Sequence, residues 1–240
     1  MPDADATLRE SWEANAAAWT RAVRGGRIPS RRAGTDAAVV AACARLLAGR
    51  AGGGRPRVLD VGCGEGWLAR ALAGLGADVV GVDGSAALVG AAARAHGDVA
   101  HFEVATYDDL VADDATMPGP WLLAVCNFAL LGDPLAPLLA ALARRLAPGG
   151  RLVIQTVHPW VAAGDGPYGD GWREERFAAF DEPFPRAMPW YARTLASWIA
   201  ELRAAGLALL DLEEPAHPES GRPLSLLLVC GDPARARPPT

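Results

Sequence analysis

The sequence predicts an α/β domain built on a mostly parallel sheet with helices on both of its faces. From residue 57 onward, short runs rich in Val, Leu and Ile alternate with helical segments, which is the pattern of repeated βα units. The predicted strands show little apolar–polar alternation, as expected where a strand is buried on both faces. A chain of 240 residues, 51% of them hydrophobic, is long enough to bury such a core.

Two helices are predicted ahead of the first strand. Residues 8–23 have an amphipathic pattern in which Trp12 and Trp19 share a face. A second helix is predicted over 37–48, with Asp36 as its N-cap. The glycine-rich residues 51–56 are interpreted as a linker to the sheet.

The βα units then follow in order. Strands are predicted at 57–61, 78–83, 99–104, 121–127 and 151–157. Helices are predicted at 66–75, at 85–96 with Ser85 as N-cap, and at 134–147, ended by Pro148-Gly149-Gly150. A helix at 194–206 begins at Thr194 and ends at Gly206, and the β-rich runs 207–214 and 223–230 predict a final hairpin.

Composition excludes several function classes. The formal net charge of −5 argues against a nucleic-acid partner, because phosphate binding requires a basic surface. No apolar run reaches the roughly 18 residues of a membrane span, and the N-terminus lacks the apolar core of a signal peptide. The four cysteines form no CxxC pair, so we expect no metal site and a reducing, cytoplasmic location.

The stretch VLDVGCGEGW, residues 58–67, places Gly62, Gly64 and Gly66 between a strand and a helix. Glycine allows backbone to approach a ligand closely, and a helix N-terminus offers unpaired amides. A dinucleotide loop would have glycine where this chain has Trp67, and a Walker loop would need lysine, which the chain lacks. Asp83, at the end of the second strand, can accept hydrogen bonds from both hydroxyls of a ribose. The pattern therefore favours a nucleoside ligand without a pyrophosphate.

Three segments together resemble the class I S-adenosylmethionine-dependent methyltransferases: VLDVGCGEG, VVGVDGS and LAPGGRLVIQTVHP. The resemblance is close over residues 55–157 and looser over 194–230. It implies a Rossmann-like, doubly wound sheet of seven strands with an antiparallel last strand. It also implies S-adenosylmethionine as cofactor and S-adenosylhomocysteine as product.

The resemblance assigns a set of cofactor contacts by position. Residues 60–66 would lie beneath the methionine part, and Asp83 would hold the ribose. Many relatives have an acidic residue for the adenine amine where this chain has Thr106, so Tyr107 or a backbone amide remains an alternative there. The complete set of cofactor-binding candidates is Asp60, Gly62, Cys63, Gly64, Gly66, Asp83, Gly84, Ser85, Thr106, Tyr107, Asn127 and Phe128.

Four segments are predicted within a single methyltransferase domain: an N-terminal helical lid (1–54), a cofactor-binding half (55–157), an insertion (158–193) and a closing helix and hairpin (194–230). The insertion is rich in aromatic residues, which argues against disorder and favours a cap over the acceptor pocket. The alternative is a satellite core or a dimer surface. The predicted acceptor-binding residues are Trp12, Trp19, Trp160, Tyr168, Trp172, Trp190 and Arg193.

Catalytic candidates come from the ends of predicted elements. His158 follows the fifth strand and is the best candidate for a general base, the alternative being a histidine that fixes the turn at Pro159. Tyr191 is a second catalytic candidate, for positioning or deprotonating the acceptor. His217, flanked by prolines, is interpreted as structural.

Residues ahead of the sheet are further candidates for the cofactor. Trp12, Asn15 and Trp19 would cover it, and Arg31 or Arg32 would pair with its carboxylate. Core packing for the tryptophans and solvent for the arginines is the alternative.

The predicted function is methyl transfer from S-adenosylmethionine to oxygen or nitrogen of a small organic acceptor, by in-line displacement with positioning as the main contribution. Two alternatives remain open. One is methylation of a macromolecule, either protein or tRNA, and the other is a cofactor-binding protein of this fold that transfers no methyl group. We expect a monomer or homodimer.

Overall fold

The central sheet is assembled from strands that are buried on both faces. The computed structural model describes residues 4–48, 54–112, 116–180 and 183–235, so residues 1–3 and 49–53 of the predicted N-terminal segment and linker lie outside it. The strands within the described ranges are β1 (Arg57–Val61), β2 (Asp78–Asp83), β3 (His101–Val104), β4 (Trp121–Asn127), β5 (Leu146–Val157), β6 (Gly171–Glu175), β7 (Met188–Ala192), β8 (Ala208–Glu213) and β9 (Ser225–Gly231).

Every strand except β6 and β7 belongs to one sheet with the order β3-β2-β1-β4-β5-β9-β8. The first five strands pair in parallel, whereas β9 runs antiparallel to both β5 and β8. This confirms the predicted seven-stranded, mostly parallel sheet with an antiparallel last strand. The chain order reverses between β1 and β4, so a crevice opens at the carboxyl ends of these strands, where sheets of this type bind ligands.

The helices form two layers around the sheet. They are α1 (Ala4–Arg24), α2 (Asp36–Leu47), α3 (Trp67–Gly74), α4 (Ala86–His96), α5 (Tyr107–Ala112), α6 (Ala136–Arg144), α7 (Pro159–Ala163) and α8 (Leu195–Ala204). Apolar residues of α2, α3 and α4 form one buried cluster with the sheet. Residues of α5, α6 and α8 form another on the opposite face. None of the helices in the described part of the chain has the length and apolar character that a membrane crossing requires.

Two of the three predicted helix N-caps are present in the structure. The hydroxyl of Ser85 accepts a hydrogen bond from the Leu88 amide at 3.2 Å, and Thr194 accepts from the Ser197 amide at 3.2 Å, which confirms both N-caps. Asp36 is not the N-cap of α2 but its first residue. Its two carboxylate oxygens instead share the single N–H of Arg31 Nε, at 2.8 and 3.0 Å.

The turn between α6 and β5 differs from the prediction. The helix ends at Arg144, and the strand begins at Leu146, which pairs with Trp121. Pro148-Gly149-Gly150 therefore lies inside β5 rather than between two elements. A Cβ on Gly150 would lie 2.8 Å from the Trp121 carbonyl oxygen, so the close approach of β4 and β5 accounts for glycine at this position.

Substitution of Gly66 tests how closely the start of α3 packs against its neighbours. Its φ is 88°, and an added Cβ would lie 3.0 Å from both Ala92 and Phe102. We expect Gly66→Ala to lower the free energy of unfolding by about 1–3 kcal/mol. Gly74→Ala at the other end of α3 meets nothing within 4 Å and should change the free energy by less than about 1 kcal/mol. Urea denaturation measures both, and equal midpoints for the two variants would contradict this account.

Candidate active site

A cavity of about 710 Å³ lies at the carboxyl ends of β1, β2 and β4, within the usual size range of small-molecule sites. All of the predicted cofactor residues except Gly66 line it. Its other walls come from α1, from the insertion at 158–193 and from the turn between β8 and β9. The topology therefore brings the glycine loop and the aromatic segments to one site.

The glycine loop is held against β2 by its own backbone. The amides of Gly62 and Cys63 both donate to the Val82 carbonyl oxygen, at 2.8 and 2.9 Å. Gly62 has a φ of 70°, and a Cβ there would lie only 2.5 Å from the Cβ of Ala129. The loop thus combines left-handed backbone with a close approach between strands, and only glycine satisfies both.

Asp83 closes the loop from the neighbouring strand. Its Oδ2 accepts a hydrogen bond from the Gly64 amide at 2.9 Å, and its Oδ1 accepts from the Ser85 amide at 2.9 Å. Burial raises the pKa of Asp83, and the two amides act in the opposite direction. Because each carboxylate oxygen can accept more than one hydrogen bond, both oxygens keep capacity for a pair of hydroxyls.

Two further oxygens in the cavity wall are buried without a hydrogen-bond partner among the described residues: Oδ2 of Asp60 and Oδ1 of Asn127. Burial, followed by the charge of Asp83, raises the pKa of Asp60 from 3.8 to about 7. Buried acceptors left unpaired are costly unless a ligand satisfies them. Asp60 and Asn127 line the same cavity as Gly62, so the site fits a ligand that carries hydrogen-bond donors.

Thr106, which the resemblance predicts at the adenine, immediately precedes the first residue of α5, Tyr107. Its hydroxyl accepts from the Asp109 amide at 3.1 Å, and Oδ2 of Asp109 accepts from the Thr106 amide at 2.8 Å. This reciprocal pair is a capping box. The neighbouring Tyr107 donates its hydroxyl to the Ala129 carbonyl oxygen at 2.7 Å. Thr106 therefore serves the helix, and α5 is an element that the sequence reading missed.

Helix α1 runs along the rim of the loop that contains the glycines. Trp19 Nε1 lies 3.5 Å from the position of a Cβ on Gly64. Further along, Arg24 Nε donates to the buried Glu65 at 2.9 Å. Near the middle of the helix, Glu13 accepts from the Ser85 hydroxyl at 2.6 Å.

The segment after α1 brings one of the two candidate arginines to the cavity. Arg31 lines it, with its guanidinium 4.3 Å from the ring centroid of Trp67. Arg31 uses Nε for Asp36. Arg32 is exposed and does not line the cavity.

An aromatic cluster joins α1 to the insertion. Its buried members are Leu8, Leu131, Phe177 and Met188, with Trp12, Trp19, Phe180, Phe184 and Trp190 packed against them. Asn15 is fully buried and clamps the backbone of Arg186, donating to its carbonyl at 2.7 Å and accepting from its amide at 3.1 Å. Asn15 thus ties the two segments together instead of covering the cofactor.

The register of the β6–β7 hairpin decides which aromatic residues reach the cavity. Met188 and Trp190 line it, together with Glu175, which pairs with Met188. Trp172 pairs with Tyr191 on the opposite face, where their rings meet edge to face at 5.5 Å. Neither of these two residues lines the cavity, since successive side chains of a strand point to opposite faces.

Several predicted acceptor residues are therefore located away from the cavity. Arg193 is 4% exposed and donates to the Gly132 carbonyl oxygen at 2.7 Å and to Asp133 at 2.8 Å, so it anchors the loop after β4. Trp160 and Tyr168 are 63% and 53% exposed and do not line the cavity. Of the predicted acceptor-binding residues, Trp12, Trp19 and Trp190 do.

The two catalytic candidates do not line the cavity either. Nδ1 of His158 accepts from the Trp160 amide at 3.1 Å, and Nε2 is 2.8 Å from Oε1 of Glu214. With Nδ1 accepting, Nε2 carries the proton and donates to Glu214, which is the structural alternative for this histidine. Burial, then the charges of Asp133 and Asp170, raise the pKa of Tyr191, which disfavours the phenolate that a base would require.

The cavity residues that sequence reasoning did not assign to the site include Glu175 and His217. The prolines on either side of His217 favour a structural role. Nδ1 of His217 accepts from the Glu219 amide at 3.2 Å, so in the neutral ring Nε2 carries the proton. The alternation of faces along β6 predicts that Glu175 points away from the residues next to it in sequence. No local sequence pattern predicts that His217 reaches the cavity.

Comparison with known proteins agrees with this geometry. A family model described as methyltransferase domain matches residues 32–212. A ubiquinone biosynthesis O-methyltransferase from Xylella fastidiosa is 38% identical over 113 residues, covering 45% of this chain and 44% of that relative. The chain thus matches less than half the length of this curated relative.

Solved structures show the same fold. The magnesium protoporphyrin IX methyltransferase of Synechocystis PCC 6803 with bound SAH aligns over 95% of this chain and 99% of its own, at a TM-score of 0.67 and 20% identity. The DhpI-SAH complex aligns over 94% of this chain and 98% of its own, at a TM-score of 0.60 and 24% identity. Since the family model covers well over half of the chain, the protein belongs to the methyltransferase-domain family and has the fold of the class I S-adenosylmethionine-dependent methyltransferases.

Proposed function

We propose that the protein transfers a methyl group from S-adenosylmethionine to an oxygen or nitrogen atom of a small organic acceptor. The observation that carries the proposal is one continuous cavity with two unlike ends. One end holds the glycine loop and Asp83, and the other has walls of Trp12, Trp190 and further aromatic residues. The first suits a nucleoside and the second an apolar acceptor.

The residues at the first end fit the cofactor part by part. Asp83 would accept from both ribose hydroxyls, because each of its oxygens already has one amide donor and room for another. The adenine would lie beside Gly84 and Tyr107. The unpaired oxygens of Asp60 and Asn127 would receive the ammonium group, and Arg31 would pair with the carboxylate.

When bound, S-adenosylmethionine supplies a methyl group on a sulfonium, which an acceptor atom displaces in line. The chain's contribution is positioning: it holds the two partners in one cavity with the reacting atoms aligned. Aromatic walls from α1 and the insertion exclude water. We assign no proton abstraction to His158 or Tyr191, which lie outside the cavity lining. His217 positions the acceptor by donating from Nε2.

A small acceptor is favoured because α1 and the insertion wall the site on the side opposite the sheet. The names of two similar proteins, ubiquinone biosynthesis O-methyltransferase and magnesium protoporphyrin IX methyltransferase, support the same size class. A cytoplasmic location, no nucleic-acid partner and a monomer or homodimer complete the proposal. The cysteines of the described residues are free and buried, as is usual in a reducing compartment.

Asp83→Ala tests the ribose contact. We expect it to weaken binding of S-adenosylmethionine at least about tenfold in calorimetric titration, because two charge-assisted hydrogen bonds are lost. Asp78→Ala, an exposed carboxylate at the opposite end of β2, should leave the affinity unchanged. Absence of binding by the folded wild type would contradict the proposed function. With binding established, an acceptor screen that measures S-adenosylhomocysteine tests the transfer itself.

Arg31→Gln tests the carboxylate contact. The variant should bind S-adenosylmethionine about tenfold more weakly while binding 5′-methylthioadenosine, which lacks the amino-acid group, as the wild type does. Arg32→Gln, at the exposed neighbouring position, is the matched control. Asp83→Ala should weaken both ligands, so the two substitutions separate the two ends of the cofactor. Equal losses for both ligands in Arg31→Gln would show that Arg31 acts on the fold.

The raised pKa of Asp60 predicts a pH-dependent affinity. Asp60 is neutral below its pKa of about 7 and anionic above it, and only the anion attracts the ammonium group. Binding of S-adenosylmethionine should therefore weaken about tenfold between pH 8 and pH 6, and Asp60→Asn should remove this dependence. Binding of 5′-methylthioadenosine should stay constant over the same range. A parallel fall for that ligand would assign the titration to Asp83 instead.

A further inference from the structure

The second end of the cavity has a distinct chemistry. We define this acceptor end as the cavity-lining residues of the insertion and of the turn between β8 and β9, together with Trp12 and with Trp19, which lies between the glycine loop and Phe180. Its walls are mainly rings and aliphatic side chains. Among the described residues, Glu175 and His217 are its ionisable side chains.

The arginines that line the rest of the cavity lie at its cofactor end. Arg9 lies 3.6 Å from Asp108, beside the adenine position. Arg31 lies 2.8 Å from Asp36 at the glycine loop. Within the described lining, an anionic acceptor would therefore meet a carboxylate at the acceptor end and no arginine. The charge balance of this end favours a cation.

One carboxylate oxygen of Glu175 is held by a backbone amide. Its Oε1 accepts from the amide of Phe177, whose φ of 56° forms a tight turn at the end of β6. The other oxygen, Oε2, has no hydrogen-bond partner among the described residues. A carboxylate that is oriented by its own backbone needs little reorganisation to receive a ligand.

Aromatic residues line the same cavity as Glu175, among them Phe177, Phe180 and Trp19. Trp190 lies on the same face of the hairpin as Glu175. Aromatic faces attract ammonium groups, most strongly where water is excluded. Rings and one carboxylate together give a cation both a counter-ion and a desolvated wall.

Building on the function proposed above, we propose that the acceptor end recognises a protonated amine, with Glu175 as its counter-ion and the surrounding rings as its walls. The acceptor class is then a small amine with an apolar or aromatic body. Its ammonium group pairs with Oε2 of Glu175, and its body packs against Trp12 and Trp190. Glu175 is a specificity-determining residue in this assignment.

Three probes matched in length test the proposal: 4-phenylbutylamine, 4-phenylbutanol and 4-phenylbutyrate. Each is titrated by NMR into the full chain saturated with S-adenosylhomocysteine. We expect the amine to bind at least about tenfold more tightly than the alcohol and the carboxylate, because of the charge pair and the rings. In Glu175→Gln, the amine should bind within about threefold of the alcohol. Gln keeps an oxygen for the Phe177 amide, so the turn is retained.

Glu174→Gln is the matched control. Glu174 is exposed, points to the opposite face of β6 and pairs with Arg176 at 2.7 Å, so this variant should keep the wild-type preference. Equal binding of the three probes to the wild type, no measurable binding of the amine, or an unchanged preference in Glu175→Gln would each overturn the proposal. S-adenosylhomocysteine affinity, measured separately, tests the cofactor site of the proposed function, and repeating the titrations without S-adenosylhomocysteine keeps the two outcomes distinct.

Discussion

The carboxylate of Asp83 is the interaction on which the rest of the site depends. One oxygen holds the Gly64 amide of the loop after β1, and the other holds the Ser85 amide at the start of α4. Ser85 in turn donates to Glu13 of α1. A single half-buried anion therefore fixes the glycine loop, a helix N-terminus and, through Ser85, the helix above them. Its partial burial is tolerated because backbone donors replace the water it loses.

Helix α1 couples the two ends of the cavity. Glu13 and Arg24 attach it to the cofactor end, whereas Asn15 and the rings of Trp12 and Trp19 attach it to the insertion. A displacement of this helix would open both ends together.

Sequence was informative where the chemistry is local in the chain. The caps at Ser85 and Thr194 depend on amides three residues along the chain, and short motifs at the ends of two strands predict the glycine loop and Asp83. It was less informative where placement depends on partners far along the chain. Trp190 and Tyr191 are equally aromatic, and only the pairing of β6 with β7 gives them opposite faces. His217, and not His158, lines the cavity, because the turn between β8 and β9 returns to it.

The unpaired oxygens of Asp60 and Asn127 lower the stability of the fold and favour ligand binding. Each is a buried acceptor without a donor among the described residues, and such groups destabilise a fold by about 1–3 kcal/mol. The main sheet tolerates them because it is otherwise well packed, with Leu59, Val125 and Ile154 fully buried. A ligand that supplies donors removes this penalty on binding. Part of the affinity at the cofactor end therefore comes from hydrogen bonds that the ligand donates to these unpaired oxygens. This is expected where function and stability compete.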